Sequence, residues 1–411
     1  MSTQVGRTFV VVGAGLAAAK AVKKLRETGF DGQIVLYGEE KHLPYERPPL
    51  SKGYLMGTDK FESAFVNSVA WYAEHDVDLR LRTSVTGIDP VARVLTAGTG
   101  QQSYDKLLIT TGARPRHLAM ADDSQAQIAY LRTVEDSDRI RSVLHPEGRL
   151  AIVGGGWVGL EVASAARNAG ARVTVLETLE LPLVRVLGPE VARIFASLHK
   201  ENGVDLRLST EISAITGNGS SASVHLADGS SVEADLVVVG IGAVPNTALA
   251  ESAGLKTDNG VVVDGALQTS APDIFAAGDV ANAYHPLLAR HLRVEHWDNA
   301  IEQGAVAARN MLGENVSYDR LPYFYSDQYD LGMEYVGSIG PDGYDELVLR
   351  GSADEGVFTA FWLRDGRVLA GMHANDWDAI GPIRTIVGAT QAVDRLQDEL
   401  IPLEEIAASL R

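Results

Sequence analysis

Two glycine-rich turns are the first places where this chain's backbone could do chemistry. They are Gly13-Ala14-Gly15-Leu16-Ala17-Ala18 and Gly154-Gly155-Gly156-Trp157-Val158-Gly159. In each, the first glycine permits a tight turn and the second lets a diphosphate approach main-chain amides. The last small residue lets the following helix pack on the preceding strand, so that the positive end of that helix faces the phosphates. Each copy also delivers a carboxylate at the end of the next apolar run, Glu39 in the first and Glu177 in the second, suited to the paired hydroxyls of a ribose. The chemistry implied is the gripping of adenine dinucleotides, twice over. Spacing alone does not say which copy takes which dinucleotide. At Glu177 the charge is informative: it attracts a free 2′-hydroxyl and repels a 2′-phosphate. Thr178-Leu179-Glu180 supply no cation, and Arg185 is the nearest, so this residue favours NADH over NADPH.

The elements that must position these loops form an internal near-repeat. Residues 8–39 and 149–177 both read as apolar strand, glycine turn, small-residue helix, glycine stop, second apolar strand and acid. Phe9–Val12 and Leu150–Val153 are continuous apolar runs, as expected of strands buried on both faces of a parallel sheet. Gly29 and Gly170 fall where a helix C-cap belongs. Further strands end in glycine loops: Lys106–Thr110 before Thr111-Gly112, Leu236–Val239 before Gly240-Ile241-Gly242, and Ile274–Ala277 before Gly278-Asp279. Beyond Pro322 the texture changes. Aromatics crowd Tyr323, Phe324, Tyr325 and Tyr329, and the segments Val357–Leu363 and Val368–Met372 predict antiparallel strands joined by a hairpin turn at Asp365-Gly366. The tail from Pro402 to Arg411 reads as a helix packed on the surface. The fold class is therefore α/β, with two doubly wound dinucleotide-binding domains and a C-terminal α+β domain.

Composition narrows the chemistry. Of 411 residues, 45 % are apolar and 22 % charged, which is ordinary globular usage. There is no cysteine, so a disulfide, a thiolate nucleophile and a Cys-ligated zinc or iron–sulfur site are excluded, and redox work needs an organic cofactor. The net charge of −18 disfavours nucleic acid and anionic membrane as partners. No apolar run approaches the roughly 20 residues of a membrane span. Arg7 with Phe9–Val12 and the small residues to Ala19 has the outline of a signal peptide, but a strand and a glycine turn account for it better, and a cytoplasmic location is expected. His291 and His296 read as packing or surface residues. No HExxH or GxSxG pattern supports a metalloprotease or a hydrolase.

Taken together, several motifs resemble a known family. GAGLAAAKAV at 13–22, YERPPLSKGYL at 45–55, TTGARPR at 110–116, GGGWVGLEVA at 154–163, GIGAVPN at 240–246, IFAAGDVAN at 274–282 and EHWDNAIEQG at 295–304 are similar to the FAD-containing ferredoxin reductases of bacterial oxygenase systems. These are of the putidaredoxin-reductase and biphenyl-dioxygenase-reductase type, with a glutathione-reductase-like fold. The resemblance implies that the first loop (Gly13, Ala14, Gly15, Ala17) and Glu39 hold non-covalent FAD. It also implies that the second loop (Gly154, Gly156, Trp157, Val158, Gly159), with Glu177, Arg185 and Gly242, serves NADH. Thr111, Gly112, Gly278 and Asp279 would meet the flavin nucleotide, Asp279 at the ribityl chain, while Trp297 lines the isoalloxazine. Arg47 and Lys52 would lie along FAD, and Val85 and Arg132 match further FAD-contacting positions. Domain ranges follow as 1–117 and 246–321 for FAD, 118–245 for NAD and 322–411 for the C-terminal domain. Lys52 and Glu161 form the expected catalytic pair, a cation beside the flavin that stabilises charge developing on reduction. Trp157 replaces a smaller apolar residue and is expected to crowd or stack on the nicotinamide side. Tyr325 stands where the dioxygenase reductases tend to carry a tryptophan on the electron exit.

NADH yields two electrons and an iron–sulfur protein takes one, a mismatch that FAD resolves. The implied partner is a 2Fe–2S ferredoxin feeding a haem monooxygenase or a ring-hydroxylating dioxygenase. Ferredoxins are generally acidic, so docking needs a local basic patch, for which Arg290 and Arg293 are the candidates. A monomer or weak homodimer is expected. Alternatives are a flavin-direct NADH oxidase or quinone reductase, and a nicotinamide-sensing protein similar to apoptosis-inducing factor.

Overall fold

The computed structural model describes residues 6–390 and 393–410. It separates into two compact units. The first takes the chain up to Arg47, then Phe61–Arg114 and Ala243–Arg320; the second takes Pro48–Lys60, Pro115–Gly242 and the chain from Leu321 onward.

In the first unit, β1 (Thr8–Val12) runs into helix α1 (Leu16–Glu27), then β2 (Gln33–Tyr37), β3 (Val77–Arg80) and β4 (Lys106–Ile109). These strands and Ile274–Ala276 form a parallel sheet ordered Ile274–Ala276, β4, β1, β2, β3. Phe9, Val10 and Val11 are fully buried, as the unbroken apolar run requires. The turn after β1 depends on glycine. Gly13 has φ +101°, and a Cβ there would sit 2.3 Å from the Thr110 carbonyl oxygen. Small residues also let α1 lie close against helix Trp297–Met311, where a Cβ on Gly304 would meet the Ala17 oxygen at 2.4 Å. Val85–Asp89, Val94–Ala97 and Gly100–Ser103 add an antiparallel sheet that hydrophobic periodicity did not reveal, because its last strand is GQQS and carries no apolar side chain.

The second unit repeats the plan. β5 (Arg149–Val153), α2 (Trp157–Asn168), β6 (Arg172–Leu176), α3 (Val184–Glu201) and β7 (Leu236–Val239) build a parallel sheet ordered Asp205–Arg207, β6, β5, β7, Ile128–Ala129. Gly154 has φ +107°, and its Cβ would fall 2.4 Å from the Gly240 oxygen. Here too a strand end crowds the neighbouring strand's exit. α3 is kinked at Gly188, just before Pro189.

The same unit holds an antiparallel sheet of β8 (Tyr323–Gln328), β9 (Leu331–Gly337), β10 (Glu346–Ser352), β11 (Val357–Arg364) and β12 (Arg367–Ala374), ordered β8, β9, β12, β11, β10. The hairpin falls at Asp365-Gly366, both with positive φ, as a two-residue primed turn demands. The tail helix Leu403–Ala408 packs on the surface as expected: Ile406 is fully buried against Ile383, Ile386 and Leu396, while Glu404 and Glu405 are exposed. Arg350 on β10 secures this end. Its guanidinium lies within hydrogen-bonding reach of the main-chain carbonyls of Arg395, Leu396, Asp398, Glu399 and Ile401.

Candidate functional site

The first glycine loop and most of the residues expected around it belong to the first unit, whereas Lys52 and Arg132 fall in the second. Gly15 is the N-cap of α1, and a Cβ added there would meet nothing within 4 Å. The amide-lined turn thus has open space in front of its second glycine, as a diphosphate would need. Glu39, just past the end of β2, is exposed and accepts a hydrogen bond from Ser84 Oγ at 3.2 Å. Thr111 and Gly112 are stitched to one asparagine: Thr111 Oγ1 donates to the Asn246 carbonyl at 2.8 Å, and Asn246 donates through Nδ2 to the Thr111 carbonyl (2.8 Å) and through its amide to that of Gly112 (2.9 Å). The Gly278 amide is held by Gln303 Oε1 at 2.9 Å. Asp279 and Trp297 are half-buried, and Trp297 opens its helix immediately after the His296 cap. Arg47 pairs with Glu40 at 2.7 Å and with the Tyr45 hydroxyl at 3.1 Å. Burial opposes its charge, yet Tyr45 and Glu40 more than compensate and its pKa rises. Val85 is half-buried and packs against the apolar core. Open space at Gly15, a carboxylate at the strand end and main chain fixed at Thr111 and Gly278 fit an adenine dinucleotide such as FAD.

The second loop has the same open front, since a Cβ on Gly156 would meet only the Gly240 oxygen, at 4.0 Å. Its carboxylate is better anchored than that of Glu39. Glu177 Oε2 accepts the Gly155 N–H at 2.7 Å and Oε1 the Leu179 N–H at 2.9 Å, so the acid is preset against its own glycine turn. Arg185 is exposed in the first turn of α3, Val158 is exposed, and Gly242 (φ +103°) has no atom near a Cβ position. Arg132 precedes a capping box at Thr133 and Asp136 and donates its amide to Asp136 at 3.2 Å. Trp157 does not lean freely toward the loop. Its indole sits edge-on to Phe195 (5.6 Å between centroids) and tilted against Phe324 (5.0 Å), within a cluster shared by α3 and β8.

Lys52 and Glu161 meet in the second unit. Lys52 Nζ lies 2.8 Å from Glu161 Oε1, and their side chains are 17 % and 8 % exposed. Ser51 Oγ donates to Glu161 Oε2 at 2.5 Å and Ser326 Oγ to Oε1 at 2.7 Å. The Lys52 ammonium also stands 5.6 Å from the centroid of the Tyr325 ring. With three donors converging on it, the Glu161 carboxylate holds the ammonium in one place. Neither serine was singled out by sequence reasoning. Ser51 sits beside Lys52, but Ser326 is 165 residues from Glu161 and only the fold brings it near. The two arginines expected to form a basic patch lie in the first unit. Arg293 has a side chain only 11 % exposed; it pairs with Glu295 and reaches Asn259 Oδ1 (3.3 Å) and the Asp279 carbonyl (3.2 Å). It is committed to partners within its own unit. Arg290, on strand Arg290–Leu292, is half-buried.

Comparison with known proteins places this geometry. Residues 7–304 match the model of the pyridine nucleotide-disulphide oxidoreductases and residues 323–407 that of the reductase C-terminal domain. The chain is 41 % identical to the ferredoxin–NAD(+) reductase component of the anthranilate 1,2-dioxygenase system of Burkholderia cepacia, over 95 % of this chain and 96 % of that one. It is 38 % identical to putidaredoxin reductase of Pseudomonas putida, over 98 % and 97 %. The crystal structure of a covalent putidaredoxin reductase–putidaredoxin complex superimposes with a TM-score of 0.93 at 37 % identity, covering 99 % of each chain. Without any cysteine, this chain lacks the redox thiols that the family's name records. It belongs to the pyridine nucleotide-disulphide oxidoreductases, and within them to the ferredoxin–NAD(+) reductases completed by a reductase C-terminal domain.

Proposed function

We propose that this chain carries electrons from NADH, through non-covalently bound FAD, to a 2Fe–2S ferredoxin that serves an oxygenase. The observation that carries the reading is the pair of dinucleotide cradles in a chain without cysteine, each open in front of its second glycine. Bound FAD supplies the conversion between a two-electron donor and a one-electron acceptor. The protein's part is binding, orientation and charge. Gly15 and Glu39 hold the flavin nucleotide, with Thr111, Gly278, Asp279, Arg47, Val85 and Arg132 around it and Trp297 on the ring. Gly156 and Glu177 hold NADH, and the carboxylate of Glu177 selects against a 2′-phosphate. Lys52 is the cation that steadies negative charge at the flavin, and Glu161 keeps its ammonium in place. Arg290 is the cation that meets an acidic ferredoxin.

The deciding experiment is anaerobic titration of the purified, FAD-loaded protein with NADH, followed by addition of a 2Fe–2S ferredoxin from the same organism. The yellow colour should bleach at one equivalent of NADH and return as two equivalents of ferredoxin are reduced. Lys52→Ala should slow the bleaching on the order of tenfold. A colourless protein that refuses FAD overturns the reading. So does a bleached protein that leaves ferredoxin oxidised while releasing hydrogen peroxide in air, the behaviour of a flavin-direct oxidase.

A further inference from the structure

Glu161 terminates a row of buried polar side chains that the reading above does not use. Ser326 Oγ lies 2.7 Å from Glu161 Oε1, Gln328 Nε2 3.1 Å from Ser326 Oγ, and His199 Nε2 2.8 Å from Gln328 Oε1. Tyr329 OH stands 3.3 Å from His199 Nδ1. His199 is fully buried, and Ser326 and Gln328 are 1 % exposed. They lie beside an apolar cluster that includes Phe195, Leu198 and Leu331, where apolar side chains of similar size would pack without any bonds to satisfy.

A single anion fixes the sense of every bond in this row. A carboxylate can only accept, so Ser326 gives its one proton to Glu161. Ser326 Oγ must then accept from Gln328, which sets the amide with Nε2 toward the serine and Oε1 toward His199. That oxygen needs a donor, so His199 carries its proton on Nε2 and leaves Nδ1 to accept from the Tyr329 hydroxyl. Burial lowers the histidine's pKa below the ordinary imidazole value, which favours this neutral form. Each proton therefore points toward Glu161. The histidine N–H is the second hold on the amide, at the end away from the anion. Without it only Ser326 holds the amide, and a Gln328 that turns its oxygen toward the serine competes with the carboxylate for the serine's proton.

We infer that His199, Gln328 and Ser326 are positioning residues that act on Glu161, and through it on the Lys52 ammonium. The inference rests on the proposed role of Lys52 at the flavin. Two readouts separate it from mere packing: the stopped-flow rate of flavin reduction by NADH, and the midpoint potential of the bound flavin. His199→Leu should slow reduction on the order of tenfold and shift the potential negative. His199→Gln, which keeps an amide donor for Gln328, should restore most of both. The double variant with Lys52→Ala should be no slower than Lys52→Ala alone, since the row acts through that lysine. If His199→Leu does not fold, Gln328→Met interrupts the row one step nearer the acid and takes its place. A shift in Lys52→Ala with none in a folded His199→Leu or Gln328→Met protein overturns the positioning role. No change of rate or potential in Lys52→Ala overturns the role of the lysine itself.

Discussion

Gly13 and Gly15 are two residues apart and should fail in opposite ways when given a methyl group. At Gly13 the methyl would strike the Thr110 carbonyl and the backbone already has positive φ, so Gly13→Ala should lower stability by about 2 kcal/mol or more in a urea titration. At Gly15 the methyl meets no protein atom and projects into the space proposed for a diphosphate. Gly15→Ala should therefore melt like the parent apoprotein yet lose its yellow colour. Gly156→Ala, its counterpart, should keep the flavin and lose NADH. Glu177 makes a separate prediction. Its carboxylate is preset by the Gly155 and Leu179 amides, so Glu177→Ala should raise the KM for NADH on the order of tenfold, the equivalent of one charge-assisted hydrogen bond. The KM for NADPH should move far less, which steady-state kinetics with both nucleotides will show. These residues were legible because their chemistry is local: turn, amide and acid lie within about 25 positions of one another. Ser326 was not, since a serine on a strand carries no mark of the carboxylate it will meet.

At the scale of elements, α2 shows how one helix face joins two kinds of architecture. Trp157, Glu161 and Ser164 recur at helical spacing and meet Phe324, Ser326 and the Tyr329 amide, so the helix that begins at the nucleotide loop also seats the first strand of the last sheet. That is why the indole turns into the protein; sequence spacing placed Trp157 after a glycine loop but could not say which neighbour it would prefer. The hairpin at Asp365-Gly366 was legible from turn chemistry alone. Its sheet carries a titratable pair, Glu334 and His373, directly opposite on β9 and β12 with Nε2 2.7 Å from the carboxylate. Burial pushes the Glu334 carboxyl up, but hydrogen bonds from His373 and Tyr323 and the charges of His373 and Arg384 outweigh it, and the net shift is downward. A carboxyl with a depressed folded pKa contributes stability above its unfolded value, near 4.3, and loses it as pH falls through the folded value. Urea titrations from pH 6 down to pH 3 should show this loss, and Glu334→Gln should flatten that part of the profile.

For the whole molecule, charge sets the terms of partnership. A net −18 repels another acidic protein at long range, so an encounter with ferredoxin depends on local cations and on screening by salt. With the Arg293 side chain only 11 % exposed, Arg290→Glu is the informative reversal. It should slow ferredoxin reduction about tenfold at low ionic strength, with the deficit shrinking as salt is added, while reduction of a neutral quinone stays unchanged. Equal loss with both acceptors would remove Arg290 from the docking surface. The repeat made two nucleotide-binding sheets readable in advance, yet Pro48–Lys60, which carries Lys52, groups with the second unit although both flanking segments belong to the first. Local pattern has no access to such an excursion, because only packing decides where it comes to rest. The chain's last stretch obeys a different logic. Arg350 recognises it solely through peptide oxygens, which every residue type possesses. Its course is consequently indifferent to spelling where no side chain takes part: Leu400, 91 % exposed, can be exchanged for a polar letter and the strap will still lie where the guanidinium holds it.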